Sequence, residues 1–391
     1  MVISDVIERQ IKGLWGTDFA DESNGIPVIK TNNMSYEGCI DYGEICYRNI
    51  DAESAKENYL HKGDLLVEKS GGTKTHTVGY VNHFDGDDDV FVCNNFILGL
   101  RPKKEMVNYM YLFYQLRYMY EHGMFSDCYN KTTGIQNLQV KAYLGKSIVV
   151  PNLVEQNAVV KALDTIQKAI DLKRKQLEDL DELVKSKFQE MFGDESKFDK
   201  QPLSKSVVEM FIGPFGSALK NECFVDREQG HCIVYEQKHA IKKTIDLPAR
   251  YITEEKYNEL RRFTVLPDDI IISCRGTIGE VYTIPQGAPL GVIHPSLMKI
   301  RLKSGVYNNV FFTYIIEKYM QEHAYKAVGN CVKMAVTATV LGKESFIVPS
   351  KKMQDDFAQY DKGVRKAKEI VQHEIDDLEE MMDSKMDEYF G

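Results

Sequence analysis

At 391 residues the chain is long enough for two or three domains, each with its own core. A hydrophobic fraction of 43% and a charged fraction of 27% exclude a fibrous or low-complexity protein. No run of apolar residues is long enough to cross a membrane, and a net charge of −9 excludes binding to nucleic acid through bulk charge alone.

The chain opens with MVISDVIERQIKGLW, which lacks a basic start and an uninterrupted apolar stretch, so no signal peptide is expected. Cysteines at 39, 46, 93, 128, 223, 232, 274 and 331 show no CxxC spacing. Reduced thiols in a cytoplasm are the expectation, with no metal site. Residues 1–150 read as short strands and turns with one strong helix, YMYLFYQLRYMYEHGMF at 109–125. Much of the chain's acid lies in its last helix and in one loop, DGDDD at 85–89, so a DNA-facing surface can still be locally basic. Polar loops interrupt the strands at Lys30 and Asn32 (with Asn33), at Lys69, Ser70, Lys74, Thr75 and His76, and at Lys131, Thr132, Thr133 and Gln136 (with Asn137). Lysine, asparagine and glutamine can pair with base edges, while hydroxyls and backbone N–H groups hold phosphates. These loops are therefore candidate reading surfaces.

From 157 to 191 the pattern changes. Leu163, Ile166, Ile170, Leu177, Leu180, Val184 and Met191 form an apolar stripe at coiled-coil spacing, with Lys173 and Lys187 as polar seam positions. A second mixed block follows over 194–349. It has its own aromatic helix, NNVFFTYIIEKYMQEHAYKAV at 308–328. Its candidate loops carry Gln237 and Lys238 (with His239), Arg275 and Thr277, and Lys333 (with Asn330). The chain closes on another stripe, Val364, Val371, Ile375, Leu378, Met382 and Tyr389, weakened at Asp361 and Lys368. Either helix alone would leave its stripe wet, so the two are predicted to pack on each other, gaining roughly 1.5–3 kcal/mol per large side chain buried. A helix of about 38 residues would span roughly 57 Å, more than one turn of DNA at about 34 Å.

The two halves repeat. DLDELVKSKFQEMFG at 179–193 returns as DLEEMMDSKMDEYFG at 377–391, with eight of fifteen pairs identical. The same offset aligns Pro151 with Pro349 and Gln156 with Gln354. Upstream, HKGDLLVEKSGGTKTHTVGYV (61–81) answers LPDDIIISCRGTIGEVYTI (266–284), and IPVIKTNNMSYEGCID (26–41) loosely answers HCIVYEQKHAIKKTID (231–246). The reading is a duplicated α+β domain: a mixed block at 1–150, a helix at 151–193, a second mixed block at 194–349 and a last helix at 350–391.

Catalytic patterns are missing. SGGTKT (70–75) lacks the phosphate-loop spacing, and no GxGxxG follows a strand. Asp64 and Glu68-Lys69 lack the E-x-K of a nuclease, no N-P-P-[YF] tetrapeptide occurs, and the nine histidines form no HExxH. No catalytic residue is assigned, and the chain reads as a binding protein.

A further set of segments occurs twice: GTDF (16–19), KGDLLVEKSGGT (62–73), TTGIQNL (132–138) and IVVPNLVEQNAVVKALD (148–164), then PDDIIISCRGTIG (267–279), HPSLMKIRL (294–302) and FIVPSKKMQDDF (346–357). Together they cover almost the whole chain, which resembles the specificity subunit of type I restriction–modification systems. The resemblance implies two tandem target recognition domains of mixed α/β type, separated and followed by long helices packed as an antiparallel coiled-coil pair, with an internal pseudo-two-fold repeat. Each domain would read one half of a bipartite, asymmetric site in double-stranded DNA. Two methyltransferase subunits carrying S-adenosylmethionine would dock on the helices, and two motor-nuclease subunits using ATP and Mg could join. This chain would hold no cofactor, catalyse nothing and contact no membrane. Leu163, Ile170, Leu177, Leu180, Val184, Val371, Ile375, Leu378 and Met382 are the expected helix-pair and docking positions. VKMAVTAT (332–339) is a poor copy of TTGIQNLQ, which puts contacts near Lys333 in doubt. Two other readings fit the residues: a two-domain protein-interaction scaffold on a helical arm with no DNA role, and the recognition part of a fused restriction–methylation enzyme.

Overall fold

A computed structural model describes the chain except residues 19–24, 74–75, 133–134, 275–276, 324, 329–330 and 335–336, with backbone alone described at 131–132, 325–328 and 331–334. The fold is α+β and divides into two compact units, Met1–Lys175 with Gln372–Gly391, and Gln176–Val371.

In the first unit, alternating or fully apolar segments make an antiparallel sheet in the order β1 (Ile7–Lys12), β8 (Ile97–Pro102), β4 (Leu65–Glu68), β6 (Val81–His83). A bulge between Ile7 and Arg9 shifts the register of β1 on β8. A second sheet sets β2 (Ile26–Ile29) between β3 (Cys46–Arg48) and β7 (Val92–Cys93), parallel to the latter. A third joins β5 (Ser70–Gly71) to the hairpin of β9 (Tyr129–Thr132) and β10 (Ile135–Leu138). The aromatic helix Tyr109–Glu121 starts where Asn108 Oδ1 accepts from the Met110 N–H. It buries Tyr111, Leu112, Phe113, Tyr114, Leu116 and Tyr118.

The second unit repeats this plan. Its antiparallel sheet runs β12 (Val207–Ile212), β19 (Leu297–Leu302), β16 (Ile270–Ser273), β17 (Val281–Thr283), with the bulge recurring between Val207 and Glu209. The partly parallel sheet runs β14 (Arg250–Ile252), β13 (Cys232–Tyr235), β18 (Gly291–Ile293), β15 (Thr264–Val265). β11 (Lys200–Pro202) pairs with β22 (Ser345–Ile347), and β20 (Tyr325–Val328) with β21 (Cys331–Met334).

Polar anchors recur too. The bidentate Arg101–Asp64 pair (2.9 and 2.8 Å) matches Arg301–Asp269 (2.6 and 2.6 Å). Fully buried Gln156 donates to the Met106 and Pro151 carbonyls and accepts from the Asn108 N–H. Gln354 does the same with Val306, Pro349 and Asn308. Each long helix is thereby clamped at its first turn to the loop before an aromatic helix. One site differs. Where the first unit has Gly99 packed on Ile11, the second buries Lys299, whose Nζ reaches Glu209 (2.7 Å) and the Thr264 carbonyl (2.7 Å).

The long helices are Leu153–Phe192, the central helix, and Lys351–Phe390, the last helix. In the first unit, the start of the central helix packs with the end of the last one. Leu163, Ile166, Ile170, Ile375, Met382, Met386 and Phe390 are buried there, and Lys173–Glu374 and Arg174–Glu379 pair at 2.8 Å. In the second unit, the end of the central helix packs with the start of the last. Val184, Phe188, Phe192, Phe357 and Val371 are buried, and Lys368 pairs with Asp181 at 2.7 Å. In both units a later position on one helix meets an earlier one on the other, which is antiparallel packing.

Three sequence expectations change. Leu177, Leu180 and Leu378 are half-buried, and Met191 and Tyr389 yield the buried end positions to Phe188 and Phe192, and to Met386 and Phe390. From Val184 and from Met382 the buried positions step by four. Each such step turns the apolar face by about 40°, off the helix seam and onto an aromatic helix. Phe390 meets Tyr111 (5.3 Å between centroids) in the first unit, and Phe192 meets Phe311 (4.6 Å) in the second. Next, the helix expected over 308–328 is Asn309–His323, and Tyr325–Val328 is instead paired as β20. Finally, the polar loops at 128–139 and 328–339 contain hairpins, because cross-strand pairing satisfies backbone groups that a loop would leave to water.

Candidate nucleic-acid interface

Strand direction decides which loops meet. β1 and β4 run antiparallel to β8, with Lys12 opposite Leu98 and Glu68 opposite Ile97. The loops after β1 and β4 therefore emerge where β8 begins. β2 and β7 run parallel and finish together at Ile29 and Cys93, and the Asn94 N–H donates to the Ile29 carbonyl (2.9 Å). Loops 13–18, 30–33, 69–73, 76–80 and 94–96 thus crowd one end of the sheets. The hairpin β9–β10 joins them by pairing Asn137 with Ser70 and Gln136 with Gly71. Residues from distant parts of the chain are brought onto one surface.

On it, Lys30 precedes a short 3-10 turn, Thr31–Asn33, and Asn32 lies exposed within that turn. Asn33 points inward. It is 3% exposed and binds the Lys30 N–H and the Asp41 and Glu44 carbonyls, so it shapes the loop. The Lys69 N–H is fixed to the Phe96 carbonyl (2.7 Å), and Ser70 Oγ donates to Asn137 Oδ1 (2.6 Å). Gln136 accepts from the Val78 N–H (3.1 Å) and donates to the Thr73 carbonyl (3.0 Å), bracing the glycine loop. Burial pushes the neighbouring Glu68 carboxyl above its usual range, while it accepts from the Gly72 N–H (3.2 Å). His76 stands exposed with its ring 4.3 Å from that of Tyr36. The backbone places Lys131 and Thr132 on β9 of the same hairpin. Lys74, Thr75 and Thr133 lie outside the described residues.

The second unit builds the equivalent end. Ile212 faces Met298, Ser273 faces Leu297, and Tyr235 is in register with Ile293. Gln237 Nε2 donates to the Thr277 carbonyl (3.0 Å), tying two of the predicted loops together. Lys238 reaches the Pro248 carbonyl and, at 3.1 Å, Glu236. Burial would raise the Glu236 carboxyl, but Arg250 and Lys238 outweigh it and hold the group below its usual range. His239 is fully buried rather than displayed, and burial pushes its imidazole below the ordinary value. The backbone puts Lys333 on β21, while Arg275 and Asn330 lie outside the described residues.

Sequence reasoning missed one component of this end. The loop after β1, Gly13-Leu14-Trp15-Gly16-Thr17, and the loop after β12, Gly213-Pro214-Phe215-Gly216-Ser217, hold equivalent places. A Cβ on Gly13 would lie 2.0 Å from the Asn94 carbonyl oxygen, and one on Gly213 would lie 2.4 Å from that of His294. Backbone touches backbone at the same point in both units, so only glycine fits. The glycine-x-aromatic-glycine spacing was the available signal.

The chain is similar to several known proteins. A family model described as "Type I restriction modification DNA specificity domain" matches residues 2–182. A curated protein of Methanocaldococcus jannaschii, described as a type I restriction enzyme specificity subunit, is 22% identical over 390 residues, covering 96% of this chain and 89% of the relative. A chain from a structural study of assembly and conformational transition in the type I restriction–modification system has a TM-score of 0.61 at 13% identity, covering 100% of this chain and 96% of that one. The crystal structure of a type I restriction–modification S subunit from M. genitalium has a TM-score of 0.50 at 14% identity, covering 100% and 95%.

Proposed function

We propose, from the chain's similarity to type I restriction–modification specificity subunits, that each unit reads one half of a bipartite, asymmetric DNA site. The observation that carries this reading is the duplicated loop cluster at one end of the sheets, which has the same frame in both units and different side chains on it. Where the first copy presents Lys30, Asn32, Ser70 and His76, the second presents Gln237, Lys238 and Thr277. A shared frame with different side chains is what two unlike half-sites require, since bases are read by side chains and phosphates fix the register.

The long helices set the distance between half-sites and dock two methyltransferase subunits in the cytoplasm. Those partners carry S-adenosylmethionine and take the target base out of the stack. Two motor-nuclease subunits bring ATP and Mg. This chain supplies recognition and no catalysis, and its acidity leaves the partners to provide much of the charge opposite the phosphates.

Methylome sequencing of cells that carry this chain with its methyltransferase tests the reading. One new split methylated motif is expected, and replacing Lys69 and Ser70 by alanine is expected to relax or abolish one half of it. Cells that gain no split motif would defeat the reading.

A further inference from the structure

Phe215 is 90% exposed, the most exposed large apolar side chain among the described residues, and Trp15 in the equivalent loop is 36% exposed. A single exposed apolar residue is unremarkable on a protein surface. Here an aromatic ring in contact with solvent recurs at the same place in both copies of a duplicated frame, and each sits on a loop with little backbone freedom. Trp15 is held from both sides. The Leu14 N–H donates to the Cys93 carbonyl (2.7 Å), and the Thr17 N–H to the Asn49 carbonyl (3.0 Å). Gly16 turns the chain between them at φ +64°. Phe215 follows the buried Pro214, the Gly213 N–H binds the Leu297 carbonyl (2.8 Å), and the Phe215 carbonyl accepts from Ala218 (2.8 Å). Such anchoring holds a large apolar group in water at a fixed height above the loops proposed to meet DNA. The backbone that carries each ring has already lost the freedom that binding would remove. Arg48 lies with its guanidinium 4.4 Å from the Trp15 ring, where it also donates to the Trp15 carbonyl (3.1 Å) and pairs with Asp18.

Resting on the DNA-reading function proposed above, we infer that Trp15 and Phe215 are equivalent wedge residues, each pressing an aromatic face against one base step of its half-site. An aromatic or apolar side chain at a base step unstacks it partly and favours deformable sequences, so it adds specificity without reading hydrogen bonds.

The test uses the full chain in complex with its methyltransferase partner and a duplex selected by that complex from a random-sequence pool. 2-Aminopurine is moved step by step through both half-sites. A rise in fluorescence on binding is expected at one step in each half. Phe215→Ala should abolish the rise in one half only and weaken binding about tenfold, the size expected for one lost aromatic–base contact. Trp15→Ala should do the same in the other half, and Phe215→Tyr should keep the signal. Unchanged melting of each variant shows that the loss is local. If both alanine variants keep wild-type affinity and fluorescence on a selected duplex, the wedge assignment falls and the DNA-reading function stands. If no duplex is selected at all, both fall together.

Discussion

Buried polar residues do more than one kind of work. Gln156 and Gln354 satisfy three backbone groups each, which is why an amide and not a carboxylate or a leucine suits both positions. His239 is the opposite case. It is fully buried, its Nδ1 accepts from the Glu236 N–H (2.9 Å), and its Nε2 finds no partner among the described residues. Burial lowers its pKa from the ordinary 6.5. Unfolded, the ring takes a proton near that ordinary value; folded, it does so only at lower pH. The unfolded state therefore binds more protons in between, and stability present above about pH 6.5 is lost as pH falls through the depressed value, by at most about 1.4 kcal/mol per pH unit. Urea unfolding at about pH 7.5 and about pH 5.5 should show this loss, and His239→Gln should shrink it. The same pH dependence in the variant would dismiss the histidine as its source.

Among the elements, the long helices carry the clearest division of labour. Their middles are weakly sealed, with Lys173, Leu177, Leu180 and Lys368 half-buried and ion pairs at the edges. Exposed pairs of this kind contribute little. Their ends are strongly sealed, by Phe188 and Phe192 in the second unit and by Met386 and Phe390 in the first. Phe390→Ala should cost about 3–5 kcal/mol, the usual penalty for emptying a buried aromatic site, whereas Tyr389→Ala should cost under about 1 kcal/mol. Hydrogen exchange of the helix Tyr109–Glu121 is the suitable readout, since Phe390 packs on it through Tyr111 and Tyr118. Equal effects of the two substitutions would refute the assignment of the helix end. The repeated phrase that closes each helix is explained by this docking. The end of the central helix seats on the aromatic helix of the second unit, and the end of the last helix seats on that of the first.

For the whole molecule, the prediction concerns length. Four residues inserted after Leu172 add roughly 6 Å to the central helix and rotate its C-terminal half by about 40°. In the assembled complex the spacer between half-sites should change while both halves keep their sequence. Methylome sequencing reads both quantities at once, and an altered half-site would contradict the ruler. The long helices and the duplication were legible in the chain, because a helix must repeat its apolar face every three to four residues and the copies differ by a constant offset. The end of the second aromatic helix was not, because Tyr325–Val328 becomes a strand through pairing with Cys331–Met334, a partner that local preference does not reveal.

The sequence by itself determined the duplicated α+β plan, the two helices and their stripes. Those follow from periodicity and spacing, which are local. Only the tertiary structure decided that the candidate loops share one end of the sheets, since that depends on which strands run parallel and which antiparallel. It alone showed that Asn33 and His239 face inward, that Gln136 braces a loop, and that each long helix ends against an aromatic helix. It alone raised Trp15 and Phe215 to notice, because exposure is a property of the packed chain and is not encoded in residue type.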